Sequence, residues 1–146
     1  MEVKFISPEE TRTLRHSVLW PHLDAVEKCV IDIDHREDAF HLGTYEGEEL
    51  AAIGSFFQMD SSKLPITGMY RLRAMATSPA YRGKHAGQNL LLFAFEELRR
   101  RGIPVLWCDA RLNAVGFYES LGFLKKSEIY EVPLIGPHQF MWIVLR

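Results

Sequence analysis

The chain has 146 residues, 47% hydrophobic and 25% charged, and its 17 basic and 19 acidic side chains give a formal net charge of −2. That length suits a single domain over 1–146 with a real core, and the near-neutral balance argues against nucleic acid or an anionic membrane as partner. Two cysteines, Cys29 and Cys108, are too few for a disulfide scaffold. With no run near the roughly 20 apolar residues of a membrane span and no secretion signal in MEVKFIS, a cytoplasmic protein is expected.

Residues 2–6 alternate and predict a first strand. Ser7-Pro8-Glu9-Glu10 then predicts a helix start, with Ser7 as N-cap, Pro8 at the first helical position and Glu10 completing a capping box. The helix is expected to reach about Leu19 and to end before Trp20-Pro21. Residues 21–38 resist assignment. Asp32, Asp34 and His35 lack the ligand spacing of zinc or calcium sites, so a solvated loop is expected and no metal. Ala39–Tyr45 and Leu50–Met59 predict an antiparallel hairpin across Glu46-Gly47-Glu48-Glu49.

A strand is predicted over Met69–Thr77, stopped by Ser78-Pro79 and followed by the basic loop Tyr81-Arg82-Gly83-Lys84-His85-Ala86-Gly87. The spacing of Leu91, Ala94, Phe95 and Leu98 predicts a helix over 87–101, with Gly102 just beyond its end. Strand, glycine loop and helix N-terminus is an arrangement that binds phosphate, because the first helical N–H groups have no intrahelical partner. A merely solvated connection fits the same spacing, and both readings stand at this point. Pro104–Ala110 is nearly all apolar, predicting a buried strand and a βαβ unit with a parallel pair. Residues 113–123 predict a short helix with an aromatic face, closed by Gly122, and two further strands are expected over 128–132 and 139–145.

Two blocks carry a family resemblance. Arg82-Gly83-Lys84-His85-Ala86-Gly87 resembles the Gln/Arg-x-x-Gly-x-Gly/Ala acetyl-CoA loop of the GNAT (GCN5-related) N-acetyltransferases, with His85 where that family has its first glycine. Asn113-Ala114-Val115-Gly116-Phe117-Tyr118-Glu119-Ser120-Leu121-Gly122-Phe123 resembles a second block of the same family. The resemblance implies an α/β fold (α+β in some schemes), with a mixed sheet of six to seven strands flanked by helices and a splayed central parallel pair. It implies acetyl-CoA as co-substrate. The pyrophosphate would lie on Arg82, Gly83, Lys84, His85, Ala86, Gly87 and Gln88, and the pantetheine arm along Met75, Ala76 and Thr77. Asn113 and Phe117 would also contact the cofactor, and the Tyr118 hydroxyl would protonate the departing thiolate.

RHSVLWP (15–21), AFHLG (39–43), YRLRAMAT (70–77), LWCDAR (106–111), GFYESLGF (116–123) and GPHQFM (136–141) are further similar to the glyphosate N-acetyltransferase subfamily. That similarity implies His138 as the base that deprotonates the acceptor ammonium, and Arg73 and Arg111 as holders of acceptor phosphonate and carboxylate. An imidazole ordinarily titrates near neutral pH, and a guanidinium fork matches such oxyanions. On the residues alone, His138 also reads as a loop histidine. Each arginine also reads as an ion-pairing residue, with Asp109 or Asp24 as partner for Arg111. Trp20 replaces a third subfamily arginine, so the expected acceptor is a small anionic amine, amino-acid-like or aminophosphonate-like, with glyphosate a poor one. Rival readings are acetylation of protein N-termini or lysines, and a CoA-binding sensor without turnover. A monomer or homodimer is expected.

Overall fold

The computed structural model describes residues 1–145, apart from the side chain of Ser127. Seven strands follow the order β1-β2-β3-β4-β5-β7-β6 in one mixed sheet, within the six to seven expected. The strands are β1 (Glu2–Ile6), β2 (Phe40–Glu46), β3 (Glu49–Gln58), β4 (Tyr70–Thr77), β5 (Val105–Arg111), β6 (Leu124–Val132) and β7 (Gly136–Val144). The helices are α1 (Pro8–Leu14), α2 (Ala86–Arg100) and α3 (Val115–Ser120). Among the described residues no helix is long and apolar enough to cross a membrane. The chain divides into two compact units, Met1–Phe57 with Arg73–Glu97, and Gln58–Leu72 with the chain from Leu98 onward.

In the first unit β1 pairs antiparallel with β2, and β2 with β3 across a tight turn in which Gly47 has φ 60°. The capping box at Ser7 forms in full: the Glu10 amide donates to Ser7 Oγ at 3.2 Å and the Ser7 amide to Glu10 Oε1 at 3.1 Å. Helical winding does reach Leu19, but its last five residues, Arg15–Leu19, form a π turn that closes with Trp20 N–H on Arg15 O at 2.8 Å. The wider turn shifts the buried face where Arg15, fully excluded from solvent, enters the interior.

That arginine also corrects the expectation of a solvated loop at Asp34, which is only 4% exposed. Arg15 Nη1 and Nη2 each donate to an Asp34 oxygen at 2.8 Å, and further to Cys29 O at 3.2 Å and Ser55 Oγ at 2.9 Å. A buried guanidinium requires a counter-charge, and a loop carries no periodicity that would reveal which acid supplies it. His41 completes the cluster: its Nε2–H donates to Asp34 O at 3.0 Å, while Nδ1 accepts from the Ser55 hydroxyl at 2.7 Å.

Helix α2 buries Leu90, Leu91, Ala94 and Leu98 completely, as their spacing requires. It ends at Gly102, φ 74°, where the Gly102 amide reaches Arg99 O and the Ile103 amide reaches Leu98 O, the paired bonds of a left-handed C-cap.

In the second unit the expected parallel pair is present, and its ladder covers three positions, Tyr70 opposite Leu106 to Leu72 opposite Cys108. Strand β7 runs antiparallel to both β5 and β6 and lies between them. Trp107 stacks on Phe140 at 5.2 Å and donates from Nε1 to Met59 O, with Leu64, Met69 and Val105 filling the same core. Both last strands start earlier than expected: β6 is an edge strand that opens with the exposed Lys125 and Lys126, and β7 opens on Gly136-Pro137, residue types that commonly interrupt a strand.

Candidate active site

The site residues fall into two groups, one in each unit. In the first, the regular course of β4 breaks at Ala74, a non-glycine residue at φ 54°. Such a conformation costs an alanine about 1–2 kcal/mol. It makes the strand locally irregular just where Arg73 and Met75, Ala76 and Thr77 are placed, all half-buried except the buried Ala76. An irregularity of this kind can leave N–H and C=O groups for a ligand that pairs as a strand would. Nothing in the sequence marks Ala74, since alanine has no preference for positive φ.

Beyond β4, the Ser78 amide bonds Ala51 O at 2.8 Å and a short 3₁₀ turn spans Pro79–Tyr81, with Tyr81 Oη donating to Glu49 at 3.0 Å. Arg82, Gly83, Lys84 and His85 are exposed, and Gly83 has φ 76°. His85 itself adopts φ 67°, the left-handed conformation that a glycine would take without strain. Its carbonyl accepts from the Asn89 amide at 2.9 Å, which makes His85 the N-cap of α2. Its Nδ1 bonds the Gln88 side-chain oxygen at 3.0 Å. Ala86 and Gly87 are buried, and Thr44 Oγ1 anchors Ala86 O at 2.9 Å. The amides of Ala86, Gly87 and Gln88 belong to the first helical turn, whose N–H groups have no acceptor within the helix. With the dipole of a fifteen-residue helix behind them, they suit phosphate oxygens. Trp20, half-buried, has the Arg15 guanidinium 6.0 Å from its ring centroid, so it contributes to covering that buried cation.

The second group is built on β5, α3 and β7. Arg111 is the last residue of β5, half-buried, with its basicity lowered by that burial. Asn113 lies exposed in a 3₁₀ turn that leads into α3. Phe117 is half-buried and Tyr118 is 5% exposed, its ring set edge-on to Phe117 at 5.2 Å and to Phe123 at 5.1 Å. Burial, and then the neighbouring Cys108, push the Tyr118 hydroxyl well above its ordinary pKa, so it keeps its proton at neutral pH. Burial likewise raises the Cys108 thiol, which excludes it as a nucleophile at neutral pH.

His138 is a strand residue of β7 and only 6% exposed, which corrects its reading as a loop histidine. Its Cα partner on β5 is Arg111 and its partner on β6 is Tyr130, so the three side chains share one face of the sheet. Nδ1 lies 2.8 Å from Gly136 O. A carbonyl only accepts, so Nδ1 carries a hydrogen and Nε2 is left as the ring nitrogen that can accept a proton.

Two contacts of Asp109 escaped the sequence. Asp109, weighed as a partner for Arg111, accepts from Arg71 Nη2 at 2.9 Å and from the Tyr130 hydroxyl, while Asp24 pairs with Lys28. Arg71 also lies 4.8 Å from the Trp107 ring centroid. Side-chain partners across a sheet depend on strand order, which the chain order β6 then β7 did not disclose.

Residues 5–123 match the model of the Acetyltransferase (GNAT) family, and the chain belongs to that family: it is an N-acetyltransferase. It is 39% identical over 146 residues, all of this chain and 97% of the relative, to the uncharacterised N-acetyltransferase YitI of Bacillus subtilis strain 168. A 52-residue stretch, 34% of this chain and 35% of the relative, is 38% identical to the ribosomal protein bS18 alanine N-acetyltransferase of Escherichia coli K12. Among solved structures, an aminoglycoside 6'-N-acetyltransferase complexed with coenzyme A superposes with a TM-score of 0.78 at 12% identity, covering 100% of this chain and 98% of that one.

Proposed function

We propose that this N-acetyltransferase moves the acetyl group of acetyl-CoA directly to the amine of a small anionic acceptor, as one catalytic domain spanning the chain. Acetyl-CoA places its pyrophosphate on the Arg82–Gln88 loop and its pantetheine arm along Met75, Ala76 and Thr77, with Asn113 and Phe117 as further contacts. The acceptor ammonium gives a proton to His138 Nε2. The amine nitrogen then forms a bond to the thioester carbonyl carbon, and backbone donors of β4 stabilise the oxyanion. As the C–S bond breaks, the thiolate takes its proton from Tyr118. The acetylated nitrogen releases its second proton, which returns to the Tyr118 oxygen by way of solvent, and His138 gives up its proton to solvent. No covalent enzyme intermediate is required, consistent with the inert Cys108. Arg73 and Arg111 hold the acceptor's acid groups, and Trp20 favours a singly charged acceptor with an apolar part. The acceptor preference of the glyphosate N-acetyltransferase subfamily is thereby narrowed, and a cytoplasmic enzyme is the simple setting.

The observation that carries this reading is the His138 ring, with Nε2 left as its proton-accepting nitrogen on the sheet face that also bears Arg111. The short likeness to the bS18 alanine enzyme favours a second reading, acetylation of a protein N-terminus. The two separate on CoA thiol release with amino acids, aminophosphonates, polyamines, aminoglycosides and peptides as acceptors. Turnover confined to anionic amines, and lost in Arg111→Ala, is the expected result. Turnover with peptides or cationic amines alone would overturn the acceptor assignment.

A further inference from the structure

A histidine that takes a proton from a substrate must hold its ring plane as well as its tautomer. The bond from Nδ1 to Gly136 O fixes the tautomer but leaves the ring free to swing about the N–H···O axis. A second constraint comes from Tyr130. Its Cα lies opposite His138 on β6, and its ring stacks on the imidazole with centroids 6.2 Å apart and planes 28° apart. Tyr130 is itself tied at its far end. Its hydroxyl donates to Asp109 Oδ1, although β5 and β6 are not neighbours and β7 runs between them, so the side chain spans β7. Asp109 Oδ2 is held in turn by Arg71 from β4. Burial, then the hydrogen bond to Asp109, raise the Tyr130 hydroxyl above its ordinary pKa, so it remains the donor of this pair. Lys63 lies 4.5 Å from the Tyr130 ring centroid, a cation over the same ring.

We propose that Tyr130, tethered through Asp109 to Arg71, is a positioning residue that holds the His138 imidazole in the orientation its role as base requires. The inference rests on His138 being that base. A single hydrogen bond gives direction but not plane. A ring stack gives plane but slides unless its far end is pinned, and the carboxylate, fixed by a charge-assisted bond, pins it. Each of four neighbouring strands supplies one member, so the device is set by the sheet register rather than by a flexible loop.

The test uses the full-length protein with Tyr130→Phe, which keeps the ring and loses the tether, Tyr130→Ala, which loses both, and Asp109→Asn. The first readout is the two-dimensional imidazole ¹H–¹⁵N spectrum, with His138 assigned by its loss in His138→Gln. The Nδ1–H tautomer is expected throughout, with ring signals sharp in the parent, broadened by ring motion in Tyr130→Ala, and intermediate in Tyr130→Phe. The second is the steady-state split. We expect kcat to fall about 10- to 100-fold in Tyr130→Ala, the scale of a misplaced catalytic group, with the KM for acetyl-CoA unchanged and partial recovery in Tyr130→Phe. If Tyr130→Ala does not fold, Tyr130→Phe and Asp109→Asn decide alone: parent kcat and parent spectrum in both would overturn the proposal. Undiminished turnover in His138→Gln would instead overturn the base assignment, and the spectrum would still report whether Tyr130 sets the ring.

Discussion

At the scale of single residues, two strained positions frame the proposed cofactor site. Ala74 and His85 both hold φ values that L-residues avoid, 54° and 67°. Histidine tolerates the left-handed region better than most, and its bond to Gln88 offsets part of the cost. A β-branched side chain has neither advantage. His85→Val is therefore expected to lower stability by about 1–2 kcal/mol in urea denaturation and to weaken acetyl-CoA binding by calorimetry. His85→Gly should bind acetyl-CoA at least as well as the parent. Equal binding by the valine variant would mean that the loop does not depend on this conformation. The departure at His85 was visible in the sequence. The strain at Ala74 was not, because alanine carries no preference for positive φ.

At the scale of elements, the local signals were faithful wherever a residue type has one structural use. Ser7 and Glu10 cap α1, Gly102 ends α2 and Gly47 turns the β2–β3 hairpin, each where its chemistry predicts. What the sequence did not disclose depends on contacts distant along the chain: the insertion of β7 between β5 and β6, the π turn at Arg15, and the burial of Asp34. The Arg15–Asp34 pair ties the end of α1 to the 29–39 segment and to Ser55 on β3. Removing one partner would leave the other charged and buried. Asp34→Ala is expected to cost about 3–5 kcal/mol by chemical denaturation. A loss below about 1 kcal/mol would show that water replaces the carboxylate freely.

For the whole molecule, the same cluster makes stability depend on pH. Burial disfavours protonation of His41 and lowers its pKa. Burial alone would raise the Asp34 pKa, but the bonds from Arg15 and from the Ile31 amide outweigh it and the net shift is downward. In both cases the unfolded chain binds the proton more readily, so stability is complete above the unfolded value and declines as pH falls below it. For His41 that decline begins near pH 6.5 and amounts to at most about 1.4 kcal/mol per pH unit. Asp34 adds to it only below about pH 4. The melting temperature should therefore fall between about pH 7 and 5, and His41→Gln should flatten the slope. An unchanged slope in the variant would remove His41 from the explanation.

The proposed catalysis at His138 is tested most directly by the pH dependence of kcat/KM for the best acceptor found, in the parent and in His138→Gln. General-base catalysis requires an acid limb titrating one proton in the parent. In the variant that limb should vanish, with kcat/KM reduced about 10²- to 10⁴-fold on the plateau. A variant that kept both the limb and the rate would contradict direct transfer with His138 as base.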